Sequence, residues 1–442
     1  MDLLISGGTV VTMDAEFRVI EDGAVAIEGD TITAVGARTE LEPQARGARI
    51  IDSSTALVTP GMINGHAHAA MSLFRGVAED HSLDDWLQKY IFPAEARNVT
   101  EEFVLWGTRL GVLEMLRGGI TTYVDMYYFE DVVASVTKEA GMRGILGQTV
   151  VDFPAPDHKT PAAALAYAQK FIEKWKGDPL ITPAVAPHSI YTLSTENLKA
   201  TAALARRNGA PILIHVAEAP FESELSRKKY GKSPVGYLES IGVLGPDVIA
   251  AHSVWVDAED IATLVRRGVG SIHNPSSNMK LASGVMPVVD LLAAGEPVGL
   301  ATDSAASNNN QDLFQEMNIA AKLQKVTRMD PRALPARQTV EMATIGGARA
   351  AHLDKKIGSL EAGKQADLIL INTNATHSTP MYNVYSQLVY ALNAHDVRTV
   401  VIAGKVVMDG RVMMTMDKPG ILAKAHEYQK KISASLTEAS VV

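Results

Sequence analysis

The sequence predicts a (β/α)8 (TIM) barrel with a small composite β-sandwich domain formed by both termini. Three observations lead there. Between residues 58 and 355, apolar runs of strand length alternate with helix-period stretches, as in strands wrapped by helices. Both ends of the chain read instead as short strands of alternating polarity. Histidines recur at the ends of the internal apolar runs, the edge where a barrel collects its reactive side chains.

Residues 1–57 supply the first part of the small domain. Gly23 to Gly36 alternates on both sides of Gly29-Asp30, a hairpin signal. Barrel strands are expected at Met62–His68, Thr121–Met126, Ile145–Val151, Ile181–His188, Ile212–Val216, Val248–His252, Ser271–Asn274 and Val298–Asp303. The clearest helices between them are Asp131–Ala140, Pro161–Trp175, Thr195–Arg207, Ala258–Arg267 and Val288–Ala294. An open doubly wound sheet is the rival, but no G-x-G-x-x-G opens a helix after a strand. Residues 356–442 return to the small domain through Ala366–Ile371 and Thr399–Met413, with Asp409-Gly410 as the second turn, and add a helix over about Gly420–Leu436. VAIEGDTITAVG and VVIAGKVVMDGRV share a pattern, so the two ends are expected to pair rather than leave open edges.

A chain of 442 residues is too long for one simple core. Hydrophobic content of 47% and charged content of 21% are those of an ordinary globular protein. The net charge of -9, without a Lys/Arg stripe, argues against a nucleic-acid partner. There is no cysteine, so disulfides and thiolate metal sites are excluded and any metal must be held by His, Asp or Glu. MDLLISGGTVV lacks the basic start and apolar core of a secretory signal, and no apolar run reaches membrane-spanning length. A cytoplasmic homo-oligomer, dimer or tetramer, is expected.

The strand ends form an ordered series: His66 and His68, then His188, His215 with Glu218 three residues on, His252, His273 and Asp303. Six of the twelve histidines fall there. His66 and His68 are two apart on a strand and so face the same way. One such histidine is commonly a hydrogen-bonded core residue; six with an aspartate on one rim point to a metal. His66, His68, His215 and Asp303 are the expected ligands of one divalent ion. Zn2+ is favoured by donor type, with Fe2+ and Mn2+ also fitting. Such an ion lowers the pKa of a bound water from 15.7 to about 7. Two-metal versions of this layout carry a lysine on the fourth strand, and Ile181 to His188 contains none.

TPGMINGHAH (59–68), HVAE (215–218), His252 and ATDSAASNN (301–309) resemble the amidohydrolase superfamily, metal-dependent hydrolases on a barrel with a composite β-domain. IGSLEAGKQADLILI (357–371) looks like that family's return into the β-domain. SLDDWL (82–87), PAEA (93–96), DFPAPD (152–157), HNPSSNMKLASGV (273–285) and TDSAASNNNQDLF (302–314) are similar to its branch of deaminases acting on 5'-methylthioadenosine and S-adenosylhomocysteine. The resemblance implies a small-molecule nucleoside substrate whose 6-amino group is replaced by oxygen. It implies Glu218 as proton shuttle, His252 orienting the attacking water, Glu95 on the ribose hydroxyls and His188 on the substrate. Some relatives place an arginine where this chain has Gln148, and many have glycine in place of Ser304.

Deamination requires a nucleophile, a protonated ring nitrogen and a protonated leaving amine. Glu218, close to a ligand in sequence, suits the second; Asp303 and His252, as general bases or hydrogen-bond partners, suit the third. Phe74, Trp86 and Tyr90 are candidates for an apolar lid or for a helix's core face. The alternative is a deaminase or chlorohydrolase of another ring (guanine, cytosine, triazine) on the same scaffold. A dead scaffold would be expected to have lost ligands, and none is missing.

Overall fold

The computed structural model of the protein describes residues 1–439. Eight parallel strands, hydrogen-bonded in chain order, make the barrel: Met62–Ala67, Ile120–Tyr127, Arg143–Val150, Ile181–Pro187, Ile212–Val216, Val248–His252, Gly270–His273 and Val298–Leu300. Val124, Met126, Ile145, Leu213, Ile249 and Ile272 fill its interior, so the barrel is a packed core and only its rim is free for chemistry.

The eighth strand is shorter than expected. Asp303 takes a left-handed conformation (φ 60), and the strand ends at Leu300. The first and eighth strands are joined by one backbone hydrogen bond and by the Asn64 side chain. The Asp303 N–H donates to the His66 carbonyl (3.1 Å). Asn64 brackets Thr302, accepting from its N–H at 3.0 Å and donating to its hydroxyl at 2.8 Å. The fourth strand stops at Pro187, which leaves His188 just beyond it.

Pro161–Trp175 and Ala258–Arg267 are helical over the expected limits. Thr160 caps the first, and Asp257 and Asp260 form a capping box on the second. The longest helix on the barrel, Glu101–Arg117, is absent from the sequence expectations because Gly107 and Gly111 weaken its helical signal. Their role is close approach. A Cβ on Gly107 would lie 2.2 Å from the Ala70 carbonyl oxygen, and one on Gly111 2.7 Å from that of Ala69. The helix thus rests against the backbone directly after His68.

The chain ends meet in one nine-stranded sheet. Its path runs Val412–Met413, Lys405–Asp409, Val397–Ile402, Leu368–Asn372, Ala56–Pro60, Leu3–Val11, Val19–Glu28, Thr31–Ala37. The sheet forks at Leu3–Val11: Leu3 to Ser6 pair with Arg49–Asp52, and Thr9 and Val10 with Leu57 and Val58. Leu368–Asn372 is antiparallel to Ala56–Pro60 and joins the two ends of the chain. Glu28 pairs with Thr31 around Gly29-Asp30, as expected. The second turn is displaced by one residue: Asp409 pairs with Val412, so Gly410-Arg411 makes the turn. Both have positive φ (54 and 64), which a two-residue turn of this hand requires. Arg143 ties the barrel to the sheet by a buried two-pronged ion pair with Asp367 (2.8 and 3.1 Å). Lys418–Ala439 is helical. Among the described residues no helix is long and apolar enough to cross a membrane.

Glu296, at the foot of the barrel, accepts from the Ser271 hydroxyl at 2.8 Å, while its Oε2 has no partner among the described residues. Burial pushes its carboxyl up to about 8 from 4.5. The folded pKa exceeds the unfolded one, so the protonated form is fully accommodated below about 4.5, and stability falls as pH rises from there through 8. Glu296→Gln is expected to stabilise the protein at pH 8 by on the order of 1–2 kcal/mol and to change little at pH 4.5. Thermal melts at the two pH values check it.

Candidate active site

His66 lies inside the first strand, His68 just past it, His215 in the fifth, His252 at the end of the sixth, and Asp303 in the loop after the eighth. The ligand atoms of His66, His68 and Asp303 lie within 4.8 Å of one another. So do those of His66, His215 and His252, and those of Glu218, His252 and Asp303. His66 Nε2 and His68 Nε2 are 3.5 and 3.4 Å from Asp303 Oδ1, and His215 Nε2 is 3.4 Å from His68 Nε2. Backbone strain gathers at this rim: Ala217 (φ 52), His252 (φ 79), Ser253 (φ 45) and Asp303 are all left-handed.

The hydrogen bonds behind the rings set what each presents to the centre. His68 Nδ1–H donates to the Met126 carbonyl (2.6 Å) and His215 Nδ1–H to the His188 carbonyl (2.8 Å). A carbonyl only accepts, so in the neutral rings both Nε2 atoms carry lone pairs. Backbone carbonyls behind imidazoles are the usual arrangement behind metal-binding histidines. His66 Nε2 is buried with no hydrogen-bond partner among the described residues, Asp303 Oδ1 standing 3.5 Å away. Burial lowers the His66 and His215 pKa values. At His68 burial also lowers, but Asp303 outweighs it and the net shift is upward. Burial would raise Asp303, yet His66 and His68 hold it well below the usual carboxylate range. His, His, His and Asp suit a divalent cation, and the unpartnered His66 nitrogen fits one.

His252 is turned the other way. Its Nδ1 faces the amide nitrogens of Asn278 (3.0 Å) and Asn274 (3.3 Å). Those amides donate, so Nε2 carries the hydrogen and points toward Glu218 Oε2 (3.6 Å) and Asp303 Oδ2 (4.0 Å). Of the two roles expected of His252, general base or hydrogen-bond partner, this orientation suits the second.

Burial, then the charges of Asp303 and Glu222, push the Glu218 carboxyl well above its ordinary value. Glu222, overlooked in the sequence, sets its position: its carboxylate accepts the N–H groups of Ala217 (3.0 Å) and Glu218 (2.8 Å). The spacing of one buried acid four residues after another was the available signal. Glu222→Ala is expected to lower hydrolytic turnover about 10–100-fold with metal content unchanged. Steady-state kinetics with metal analysis checks this.

His68, His215, Glu218, His252 and Asp303 line a cavity, together with Glu95, Trp86, His188 and Ser304. Glu95, on Phe92–Asn98, accepts from the Tyr127 hydroxyl at 2.7 Å, and burial pushes its carboxyl up to about 7. Burial lowers His188 to about 3, and its ring is therefore neutral. Gln148 does not line the cavity. It is fully buried, donates to Asp157 Oδ2 (2.8 Å) and accepts from the Glu130 N–H, so its amide is already engaged. His273 is buried and lies outside the cluster. Of the three lid candidates only Trp86 lines the cavity; Phe74 packs on Phe103 in the core, and Tyr90 stacks on His81 at the surface.

A parallel barrel with imidazoles and an acidic pair at the C-terminal ends of its strands defines a barrel hydrolase. The chain belongs to the amidohydrolase family, whose model matches residues 57–407. It is 47% identical, over 99% of both chains, to 5-methylthioadenosine/S-adenosylhomocysteine deaminase 1 of Syntrophus aciditrophicus (strain SB). It is 41% identical, over 98% of both, to the 5'-deoxyadenosine deaminase of Methanosarcina barkeri (strain Fusaro / DSM 804). A zinc-bound adenosine deaminase from Xanthomonas campestris superposes with a TM-score of 0.96 at 38% identity, covering 98% of this chain and 99% of that one.

Proposed function

We propose that the protein hydrolyses the 6-amino group of an adenine nucleoside (5'-methylthioadenosine, S-adenosylhomocysteine, adenosine or 5'-deoxyadenosine) to the inosine analogue and ammonia. The observation that carries this is the position of Glu218, a buried carboxyl with its Oε2 3.6 Å from His252 Nε2, beside a cluster of His and Asp side chains that could hold a metal ion. Ring deamination requires that combination: a proton for the ring nitrogen and an activated water at the adjacent carbon. The full-length relatives named as nucleoside deaminases support it.

His66, His68, His215 and Asp303 would hold one divalent ion, Zn2+ first among the candidates, with Fe2+ and Mn2+ as the others. When bound, it supplies Lewis-acid activation of a water at neutral pH. Glu218 delivers its proton to the ring nitrogen beside the attacked carbon. Asp303 takes the proton released by the water and passes it to the departing amine. His252 donates its Nε2–H to the incoming oxygen and fixes its approach. A carbon–oxygen bond forms and the carbon–nitrogen bond breaks. The proton from Glu218 stays on the ring nitrogen; of the water's two protons, one leaves on ammonia and the other returns to Glu218 as the added oxygen becomes the product carbonyl. Residues 58–355 are the catalytic barrel in this reading, with 1–57 and 356–442 as one supporting domain.

Glu95 is assigned to the ribose hydroxyls, His188 to the substrate, and Trp86 to the wall beside it. Glu95→Ala is expected to cut kcat/KM for nucleosides about 100-fold while leaving any activity on the free base within a few-fold, since a carboxylate–hydroxyl pair contributes about 1.5–3 kcal/mol. Parallel assays of adenosine and adenine check it. The proposal itself is tested by ultraviolet and ammonia assays on methylthioadenosine, S-adenosylhomocysteine, adenosine and guanine. Turnover of guanine alone would overturn it.

A further inference from the structure

We propose that Ser277 is a positioning residue for the reaction. Its hydroxyl separates the two oxygens of Asp303, leaving Oδ1 to the ligand histidines and holding Oδ2 toward the attacking water as the proton acceptor. The inference rests on the deaminase reading of the same site and deepens it by naming what keeps the ligand and the base apart on one carboxylate.

A carboxylate that holds a cation and also takes a proton needs its oxygens kept distinct, because an ion can be bound through one oxygen or through both. The two oxygens of Asp303 have different neighbours. Oδ1 lies 3.5 Å from His66 Nε2 and 3.4 Å from His68 Nε2, and accepts the Ser304 N–H at 2.7 Å. Oδ2 lies 4.0 Å from His252 Nε2, the donor assigned to the incoming oxygen, and accepts the Ser277 hydroxyl at 2.6 Å. Ser277 is fully buried and is not among the residues that line the cavity. It therefore acts through Asp303 and does not touch the substrate.

The Ser277 hydrogen is committed. Ser307 Oγ is 2.9 Å away and Asp303 Oδ2 2.6 Å. An ionised carboxylate only accepts, whereas a hydroxyl does both. The hydrogen of Ser277 thus serves Asp303, and Ser307 donates to Ser277. Ser304 Oγ is 3.0 Å from Ser307 Oγ and accepts the Ser307 N–H at 3.0 Å, so its own hydrogen points along the same line. The three hydroxyls are buried and run in series onto a charged acceptor, the setting in which each bond strengthens the next.

The element that carries Ser277 also holds His252. On the short helix Pro275–Lys280, Asn278 follows Ser277 and its amide donates to His252 Nδ1 at 3.0 Å. Glu316 fastens this helix to the loop that follows Asp303: it accepts the Ser276 N–H at 3.1 Å with one oxygen and the Asn308 amide at 2.9 Å with the other. One helix thus orients both groups assigned to the water. In the reaction one proton moves from the water to Oδ2 and on to the departing amine, while Ser277 keeps its own.

The test compares Ser277→Ala and Ser277→Thr with the parent protein. Each is loaded with Zn2+ for kinetics on 5'-methylthioadenosine and with Co2+ for visible absorption, and metal content is measured in both forms. Ser277→Ala is expected to lower kcat about 10–100-fold with KM within about threefold and one ion per chain retained. Its cobalt bands are expected to change as the released Oδ2 turns toward the ion. Ser277→Thr keeps the hydroxyl and is expected to return kcat to within about fivefold of the parent and to restore the spectrum. Turnover of the Ala protein close to the parent's, or unchanged cobalt bands, would overturn the proposal. So would loss of the metal, because Ser277 would then build the ligand set, or an equal defect in the Thr protein, because packing would then be the cause. If the parent deaminates nothing, the deaminase reading falls and the cobalt spectra decide alone: a change in Ser277→Ala reversed in Ser277→Thr keeps the assignment of Ser277 to Oδ2, and an unchanged spectrum removes it.

Discussion

Glu218→Gln is expected to lower kcat about 10²–10⁴-fold while metal content and fold stay as in the parent. Glutamine keeps the shape and the hydrogen-bonding reach of the side chain but has no acidic proton to give. The size of the effect follows from position. Glu218 is buried beside the cluster, and burial pushes its carboxyl well above its ordinary value, the direction that a proton donor to the ring nitrogen needs. Its backbone is fixed by Glu222, so the loss would be chemical. Turnover within a few-fold of the parent in the variant, with metal still bound, would remove Glu218 from the proposed chemistry.

His215→Ala is expected to abolish both metal retention and turnover, the latter by about 10⁴-fold or more, because the ion is what makes water a nucleophile at neutral pH. His215 is the informative choice among the proposed ligands. Its Nδ1 is committed to the His188 carbonyl, and burial, with the neighbouring histidines, keeps the ring neutral. Its Nε2 lone pair therefore has only the cluster to serve. Metal analysis after dialysis is expected to fall from one ion per chain to less than about a tenth, with circular dichroism unchanged, since the ring is not part of the apolar core. Full metal content in the variant would mean that His215 is not a ligand.

The barrel was legible because its strands are buried on both faces and read as apolar runs, as Ile212–Val216 and Val248–His252 do. The rim was legible because histidines fall at the ends of those runs, although Asn64, Thr122 and Asp125 also interrupt them. What one sequence does not carry is direction and partnership. His252 and His215 look alike as letters, yet the amides of Asn274 and Asn278 make one a donor and a carbonyl makes the other an acceptor. Glu222 works through two backbone N–H groups, which a spacing argument about ligands does not reach. Gln148 reads in the sequence as a polar residue near a strand's end, but its amide turns to Asp157. Gly107 and Gly111 lowered the helical signal of Glu101–Arg117 for a reason visible only once the backbone after His68 lies against them.

The central claim is that this rim replaces a ring amino group with the oxygen of water. Its most direct test is mass spectrometry of 5'-methylthioadenosine incubated with metal-loaded protein in 18O-enriched water. The expected product is methylthioinosine carrying one heavy oxygen, with one ammonium released per nucleoside and none formed by the Glu218→Gln protein above its small residual rate. Recovery of unchanged nucleoside, or of free adenine from cleavage of the ribose bond, would contradict the account.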